Sequence, residues 1–407
     1  MKVAQLNVTY GNADSTGRNV KELHEYLLDS GADSHVYTSK INDSSKIDER
    51  IHLFSSDVDK KVHALLSRIT GKQGYFSFLS TKKLISELSM VRPDVVILHV
   101  LHSNCINLPV FFKYLSINDI PVVIVLHDCW YFTGHCCHYI EENCEKWKKD
   151  CLGCSQIHKW NKSWFFDTAS QCLRDKKRWF YSVSRLGVVG VSDWITGEAK
   201  KSILRDATII RRIYNWIDLE TFRPRDTREM RKQFGIAKGI QVLLGVASSW
   251  SNQKGLREML FVALSIPEAK IIMVGKMPKD VVVPKNMICV GIVKNPIKLS
   301  EFYSMADVFL NPSIQETFGK TTAEALSCGV PVVVYDTAAC TELVGDNCGK
   351  IVAKGNKELY VQNIRKQLAE NDVIVRSQCR AFAIGKFSAY DRMHDYENML
   401  KEIIKNG

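Results

Sequence analysis

The sequence holds no apolar run near the roughly 18–20 residues that a membrane-spanning helix needs, although 45% of its 407 residues are hydrophobic. An integral helical channel or transporter is therefore excluded. It also lacks a Gly-Arg repeat, a Lys-rich tail and any nucleic-acid-binding motif, so the formal net charge of +11 is not read as a nucleic-acid footprint. G-x-G-x-x-G, the fingerprint of dinucleotide-binding folds, is absent. The opening Met1-Lys-Val-Ala-Gln-Leu-Asn-Val8 reads as a short strand rather than a signal peptide, and the expected compartment is the cytoplasm. Thirteen cysteines would stay reduced there, so no disulfide framework is expected. What is present suits two or three domains with large cores. The positive surplus suits an anionic partner: a nucleotide diphosphate, a lipid pyrophosphate or a membrane surface.

The densest stretch is Asn311 to Glu342. An apolar run, Met305 to Leu310, leads into the turn signal Asn311-Pro312. Thr321 to Ser327 has helical composition, Gly329 suits the position after a helix end, and Pro331 blocks continuation. Val332 to Tyr335 reads as a buried strand. The order strand, loop, helix, strand puts the loop where open α/β sheets bind ligands. Backbone N–H groups around Phe318, Gly319 and Lys320 would meet an anion at the helix start. Glu316 and Glu324 stand eight positions apart and would reach hydroxyls on either side of a diphosphate, whereas a plain structural reading makes them surface helix acids.

With Pro312-Ser313, Glu316-Thr-Phe-Gly319, Glu324-Ala325 and Cys328-Gly-Val-Pro-Val-Val333 around them, these glutamates resemble the E-x7-E signature of the retaining GT-B glycosyltransferases of family 4. The resemblance implies an α/β fold of two Rossmann-like domains facing a cleft, with a C-terminal helix crossing back to the first. It implies residues 1–220 as the acceptor-side domain, 221–387 as the nucleotide-sugar domain and 388–407 as the crossover helix. The boundary rests on Asn215-Trp-Ile-Asp218 and Phe222-Arg-Pro224, which follow the family's linker except for Trp216 where Gly is usual.

Along the first half, Val3 to Val8 and a Gly-containing loop precede a helix from Val20, and Gly17 matches the family glycine near the donor diphosphate. A plain turn glycine is the alternative. Residues 40–90 give little pattern beyond helical character at Leu84 to Leu88, and an acceptor-side segment is expected there. Asp94 to Val100 and Pro121 to Leu126 read as parallel strands around a helix at Leu108 to Leu115. His127, just past the second, matches the family histidine beside the transferred sugar. Residues 129–154 form a Cys-rich insert. Cys151-x2-Cys154 has knuckle spacing, and Cys137 and Cys144 would complete a structural zinc site, with Cys136, His135 and His138 as substitutes. Reduced thiols packed as small apolar groups are the other reading. Lys159 to Arg185 mixes cations with Trp and Phe, which fits either an inner-membrane surface contact or a helix with a solvated basic face.

In the second half, Gln241 to Ala247 reads as a strand and Lys254-Gly255 matches half of the family's diphosphate clamp. The usual preceding Arg is missing, since Ser248, Ser249 and Trp250 occupy its place. Either Lys254 works with backbone amides or Lys320 supplies the second charge. The expectation is transfer of a hexose-type sugar from a nucleotide diphosphate donor to a glycan or lipid-linked hydroxyl, with retention and no catalytic metal, in polysaccharide biosynthesis. A sugar-nucleotide epimerase of the same fold, a non-catalytic partner subunit and a phosphorylase are the competing readings.

Overall fold

A computed structural model describes residues 1–12, 14–42 and 48–405. Residues 43–47 of the segment 40–90 lie outside the described residues. The chain divides into two units, Met1–Ile213 with the residues from Met393 on, and Tyr214–Arg392. Each is built on one parallel sheet.

The first sheet is made of β1 (Lys2–Tyr10), β2 (Asp33–Ile41), β3 (Ile51–Leu53), β4 (Val95–Leu98), β5 (Val122–Leu126), β6 (Leu186–Gly190) and β7 (Ile209–Arg212). Its order is β3-β2-β1-β4-β5-β6-β7. β4, β5 and β6 are buried along their whole lengths, which is why each reads as an unbroken apolar run in the sequence. Helix Ser15–Asp29 follows β1 and is capped by the Asp14 side chain, which accepts from Gly17 N. The segment that sequence pattern left unread holds β3 and two helices, Asp57–Thr70 and Phe78–Val91. Helix Ala389–Lys405 closes the chain, and from Met393 on it belongs to this first unit. A Cβ at Gly187 would stand 2.9 Å from Ile403 and 3.0 Å from Met399. Arg211 pairs with Glu402 at 2.7 Å and Tyr26 donates to Glu397 at 3.2 Å.

The second sheet is made of β8 (Val242–Ser249), β9 (Lys270–Lys276), β10 (Met287–Gly291), β11 (Val308–Asn311), β12 (Val332–Asp336) and β13 (Gly349–Ala353), in the order β10-β9-β8-β11-β12-β13. Leu243, Ile271, Met273, Val308, Leu310 and Val333 meet Met259, Val262, Tyr360 and Ile364 of the covering helices in one core. Each such fully buried aliphatic side chain contributes roughly 1.5–3 kcal/mol. Helix Lys320–Ser327 ends at Cys328 with Gly329 at φ 73°, the left-handed turn expected after a helix end. Trp216, odd against the family linker, is buried, and the backbone beside it pairs with the chain near Phe387 through Ile217 N to Phe387 O at 2.9 Å. The terminal segment is two helices, Val373–Phe387 and Ala389–Lys405, broken at Ser388.

Both sheets reverse their strand order once, between β1 and β4 and between β8 and β11. Crevices at the carboxyl ends of such strands are where open α/β sheets bind ligands.

Gly255 shows how tightly the second crevice is built. Its φ is +75°, and an added Cβ would meet Pro312 Cγ at 2.4 Å and Pro312 O at 2.6 Å. Gly255→Ala is expected to lose about 2 kcal/mol, from the left-handed backbone and the clash together. Urea denaturation of the two proteins measures it; equal midpoints would contradict the packing.

Candidate active site

In the second unit, β8 delivers Lys254 and β11 delivers Glu316 across the strand reversal. Asn252–Lys254 forms a single turn, and Lys254 Nζ donates to Glu316 Oε1 at 2.6 Å. Burial lowers the Lys254 pKa, and the neighbouring Glu316 carboxylate more than offsets it, so the ammonium is held above its ordinary value. The Glu316 loop is fixed by its backbone: Ile314 N donates to Gln253 O at 3.0 Å, Ala339 N donates to Glu316 O at 3.2 Å, and the Thr337 hydroxyl donates to Ile314 O at 2.7 Å. Asn311 Nδ2 donates to Thr322 Oγ1 at 2.9 Å and ties the strand end to the helix start.

Gly319 adopts φ 91° and opens helix Lys320–Ser327, whose first-turn amides and dipole favour an anion. Phe318 turns its ring into the core against Tyr214 and Phe387, so only its backbone belongs to the loop. Lys320 is the first residue of the helix. Glu324 is buried and accepts from the Tyr303 hydroxyl at 2.8 Å. Tyr303 was not singled out in the sequence, where a helical Tyr carries no signal of its own. Trp250, in the area of the missing Arg, is a core residue whose Nε1 donates to Val274 O at 3.0 Å, while Ser248 and Ser249 are exposed.

In the first unit, Gly17 lies in the first turn after β1. Its N–H is taken by Asp14 Oδ1 at 2.8 Å, and a Cβ there would stand 3.0 Å from Gly11 O. His127 follows β5, and its Nε2 lies 3.0 Å from His99 Nδ1, with Gln5 Oε1 3.3 Å from the far nitrogen of His99. Burial, with His127 beside it, holds His99 well below the ordinary histidine range. Asp128 Oδ1 accepts from Trp130 N at 2.8 Å and Asp128 Oδ2 lies 2.7 Å from His102 Nε2. His99 and His102 both follow β4, and only the sheet brings them to β5. Spacing along the chain could not have paired them.

The cysteine quartet is divided. Cys137 Sγ lies 3.7 Å from His102 Nε2, and His102, Asp128 and Cys137 bring one ligand atom each within 4.8 Å of one another. Cys144, Cys151 and Cys154 instead line a separate small cavity with Cys136 and His135. Neighbouring residues Cys136 and Cys137 serve different clusters, which no spacing rule distinguishes. Lys176, on helix Ala169–Phe180, is buried beneath the loop. Its Nζ donates to Trp130 O at 2.6 Å and Thr133 O at 3.0 Å and sits 3.7 Å from the centre of a Trp130 ring. The basic-aromatic segment also splits: Trp179 and Phe180 are core, while Trp164, Phe165 and Phe166 are 49%, 71% and 57% exposed. Arg174, Lys177, Arg178 and Tyr181 line an open hollow of about 400 Å³. No described helix is long and apolar enough to cross a membrane.

Residues 16–221 match the family model described as Glycosyltransferase Family 4, half of the chain, and residues 240–370 match Glycosyl transferases group 1. The chain belongs to glycosyltransferase family 4. This family 4 protein is 24% identical over 388 residues to WcaC of Escherichia coli (strain K12), by name a colanic acid biosynthesis glycosyl transferase, covering 91% of this chain and 92% of that one. CapM of Staphylococcus aureus, named as a capsular polysaccharide biosynthesis glycosyltransferase, is 23% identical over 212 residues, 47% of this chain and 54% of that one. Among solved structures, sucrose-phosphate synthase from Thermosynechococcus elongatus superposes with TM-score 0.74 at 14% identity, covering all of both chains. Anabaena Alr3699/HepE in complex with UDP-glucose superposes with TM-score 0.65 at 16% identity, over 99% of this chain and 100% of that one. The family 4 glycosyltransferase thus has the GT-B fold.

The His102–Asp128 pair gives this glycosyltransferase a pH signature. Burial pulls His102 down, but Asp128 outweighs it and the net shift is upward; burial lifts Asp128, but His102 brings it down to about 2. A raised histidine stabilises fully below its unfolded value of about 6.5 and loses this as pH rises through the folded value. A depressed carboxyl stabilises above about 3.9 and loses this as pH falls towards the folded value. The stability gap between wild type and His102→Gln should be widest at about pH 4–6.5, about 2 kcal/mol, and should shrink by pH 9. Urea midpoints at pH 5.5 and pH 9 check this; a gap independent of pH would refute the charged pair.

Proposed function

We propose that this glycosyltransferase transfers a hexose-type sugar from a nucleoside diphosphate donor to a hydroxyl of a glycan or lipid-linked acceptor, with retention of configuration. The observation that carries the reading is the Lys254–Glu316 ion pair, set across a strand reversal next to the start of helix Lys320–Ser327. A diphosphate placed there meets an ammonium, the first-turn amides and the helix dipole, while Glu316 is left to accept hydroxyls of the transferred sugar. Negative charge growing on the leaving diphosphate is met by groups already oriented, so little reorganisation accompanies bond breaking. Glu324, held by Tyr303, is assigned to the ribose, and His127 to the transferred sugar. Gly17, Gly319 and the backbone at Phe318 and Lys320 are assigned to the close approach of the donor. The cationic groups do the work that a divalent metal does in other transferases, so no catalytic metal is assigned.

The complexes of HepE with UDP and UDP-glucose support a uridine donor, and the names of WcaC and CapM support surface polysaccharide as the setting. The exposed Trp164, Phe165 and Phe166, and separately the hollow lined by Arg174, Lys177 and Arg178, support contact with the inner face of a membrane, where a lipid-linked acceptor would reside.

A thermal-shift series with UDP, GDP, ADP and their sugars tests the donor, since a ligand of the folded state raises stability by mass action. UDP and a UDP-hexose should shift the transition; the absence of any shift with all three diphosphates would defeat the reading.

With a responsive donor, Glu316→Gln should lower kcat strongly, whereas Glu324→Gln should raise KM with a smaller effect on kcat. Lys254→Ala removes a charge-assisted bond worth about 1.5–3 kcal/mol, so kcat/KM should fall by roughly 10- to 160-fold. Full activity in Lys254→Ala with loss in Lys320→Ala would transfer the phosphate contact to the helix start.

A further inference from the structure

The chain from residue 133 to 168 contains only two short turns of regular structure, Ile140–Glu142 and Lys146–Lys148. Yet it buries Trp147, Cys151, Gln156 and Ser163. A segment this long without helix or strand needs something to hold it inside a compact unit. The cysteines are all free thiols, so covalent staples do not supply it.

At the centre of the segment lies a cavity of about 10 Å³, lined by Cys136, Cys144, Cys151 and Cys154 together with His135 and Lys146. That is the space of one small sphere. His135 is 3% exposed, and its Nε2 has no hydrogen-bond partner among the described residues. Left-handed backbone at Cys151, φ 54°, and Gly153, φ 64°, curls the Cys151-x2-Cys154 turn. Gly134 N donates to Cys151 Sγ at 3.3 Å, the kind of bond a thiolate accepts best. Cations stand nearby: Lys146 lines the cavity and donates to Gly153 O, and the buried Lys176 ammonium donates to Thr133 O, three residues before Cys136.

We propose that Cys136, Cys144, Cys151 and Cys154 hold a single zinc ion as a structural tetrathiolate that fixes this segment. Binding exchanges four thiol protons for the ion and leaves a centre of net charge −2, with Lys146 at the edge of the cavity. The ion draws the four sulfurs in from the rim of the cavity to about 2.3 Å. Once thiolates are present, an N–H of His135 has an acceptor. The His102, Asp128 and Cys137 set brings three ligand atoms within 4.8 Å of one another, but it offers one thiol against the four around the cavity. With four thiolates and no open position, the ion takes no part in transfer.

The test is metal analysis of the full chain, produced without added zinc and purified without chelator. The expected result is about one zinc per chain, released by a mercurial reagent. Growth in cobalt should give the visible absorption of tetrahedral cobalt thiolate. Cys144→Ser and Cys154→Ser, at the two less buried positions, should lose the metal, and Cys137→Ser and the exposed Cys289→Ser should keep it. If the serine variants fail to fold, the wild-type cobalt spectrum decides alone. Wild-type protein without metal, an intact mass showing paired cysteines, or metal lost in Cys137→Ser but kept in Cys144→Ser and Cys154→Ser would each overturn the assignment.

Discussion

Parallel strands buried on both faces must be linked by crossovers, and where successive crossovers run to opposite sides, the loops leave the sheet in opposite directions. The gap between them cannot be filled by the backbone of either. In this chain that constraint operates twice, between β1 and β4 and between β8 and β11. Polar side chains gather at both gaps. Lys254 and Glu316 come from strands that are neighbours in the sheet but 62 residues apart in the chain, and they meet only because β8 and β11 pair in register. The same holds for His99 and His127, brought together by β4 and β5. Hydrogen-bonded register is therefore what sets the distance between the groups assigned to chemistry, and the loops mainly hold their ends.

The strands were legible because burial on both faces leaves an uninterrupted apolar run, as in Pro121-Val-Val-Ile-Val-Leu126 or Val332-Val-Val-Tyr335. The loop from Asn311 to Gly319 was legible because turn, glycine and helix-start signals coincide there. Pairings between distant segments were not. Tyr303 and His102, the partners of Glu324 and Asp128, sit in stretches that announce nothing in the sequence. Cys136 and Cys137 show the limit most plainly: adjacent side chains leave an irregular backbone in different directions, and neither period 2 nor period 3.6 applies.

The chain spends its positive charge in two ways. Lys254 is matched by a single carboxylate, Glu316, in the crevice proposed for the diphosphate donor. Lys176 is given over to structure, bonded to the carbonyls of Trp130 and Thr133 under an aromatic face, and burial lowers it to about 8. Net charge counts both equally. Only the partners tell them apart: one pairs with a carboxylate, and the other pins the turn carrying Asp128.

The closing helix has a consequence for how the molecule is made. Residues from Met393 on complete the wall against which β6 packs, at Gly187, Ile403 and Met399. Synthesis proceeds from the amino end, so the first unit leaves the ribosome with the side of β6 at Gly187 uncovered. That side stays open while some 180 further residues, Tyr214 to Arg392, are translated and have the chance to fold. The unit made first is thus finished last.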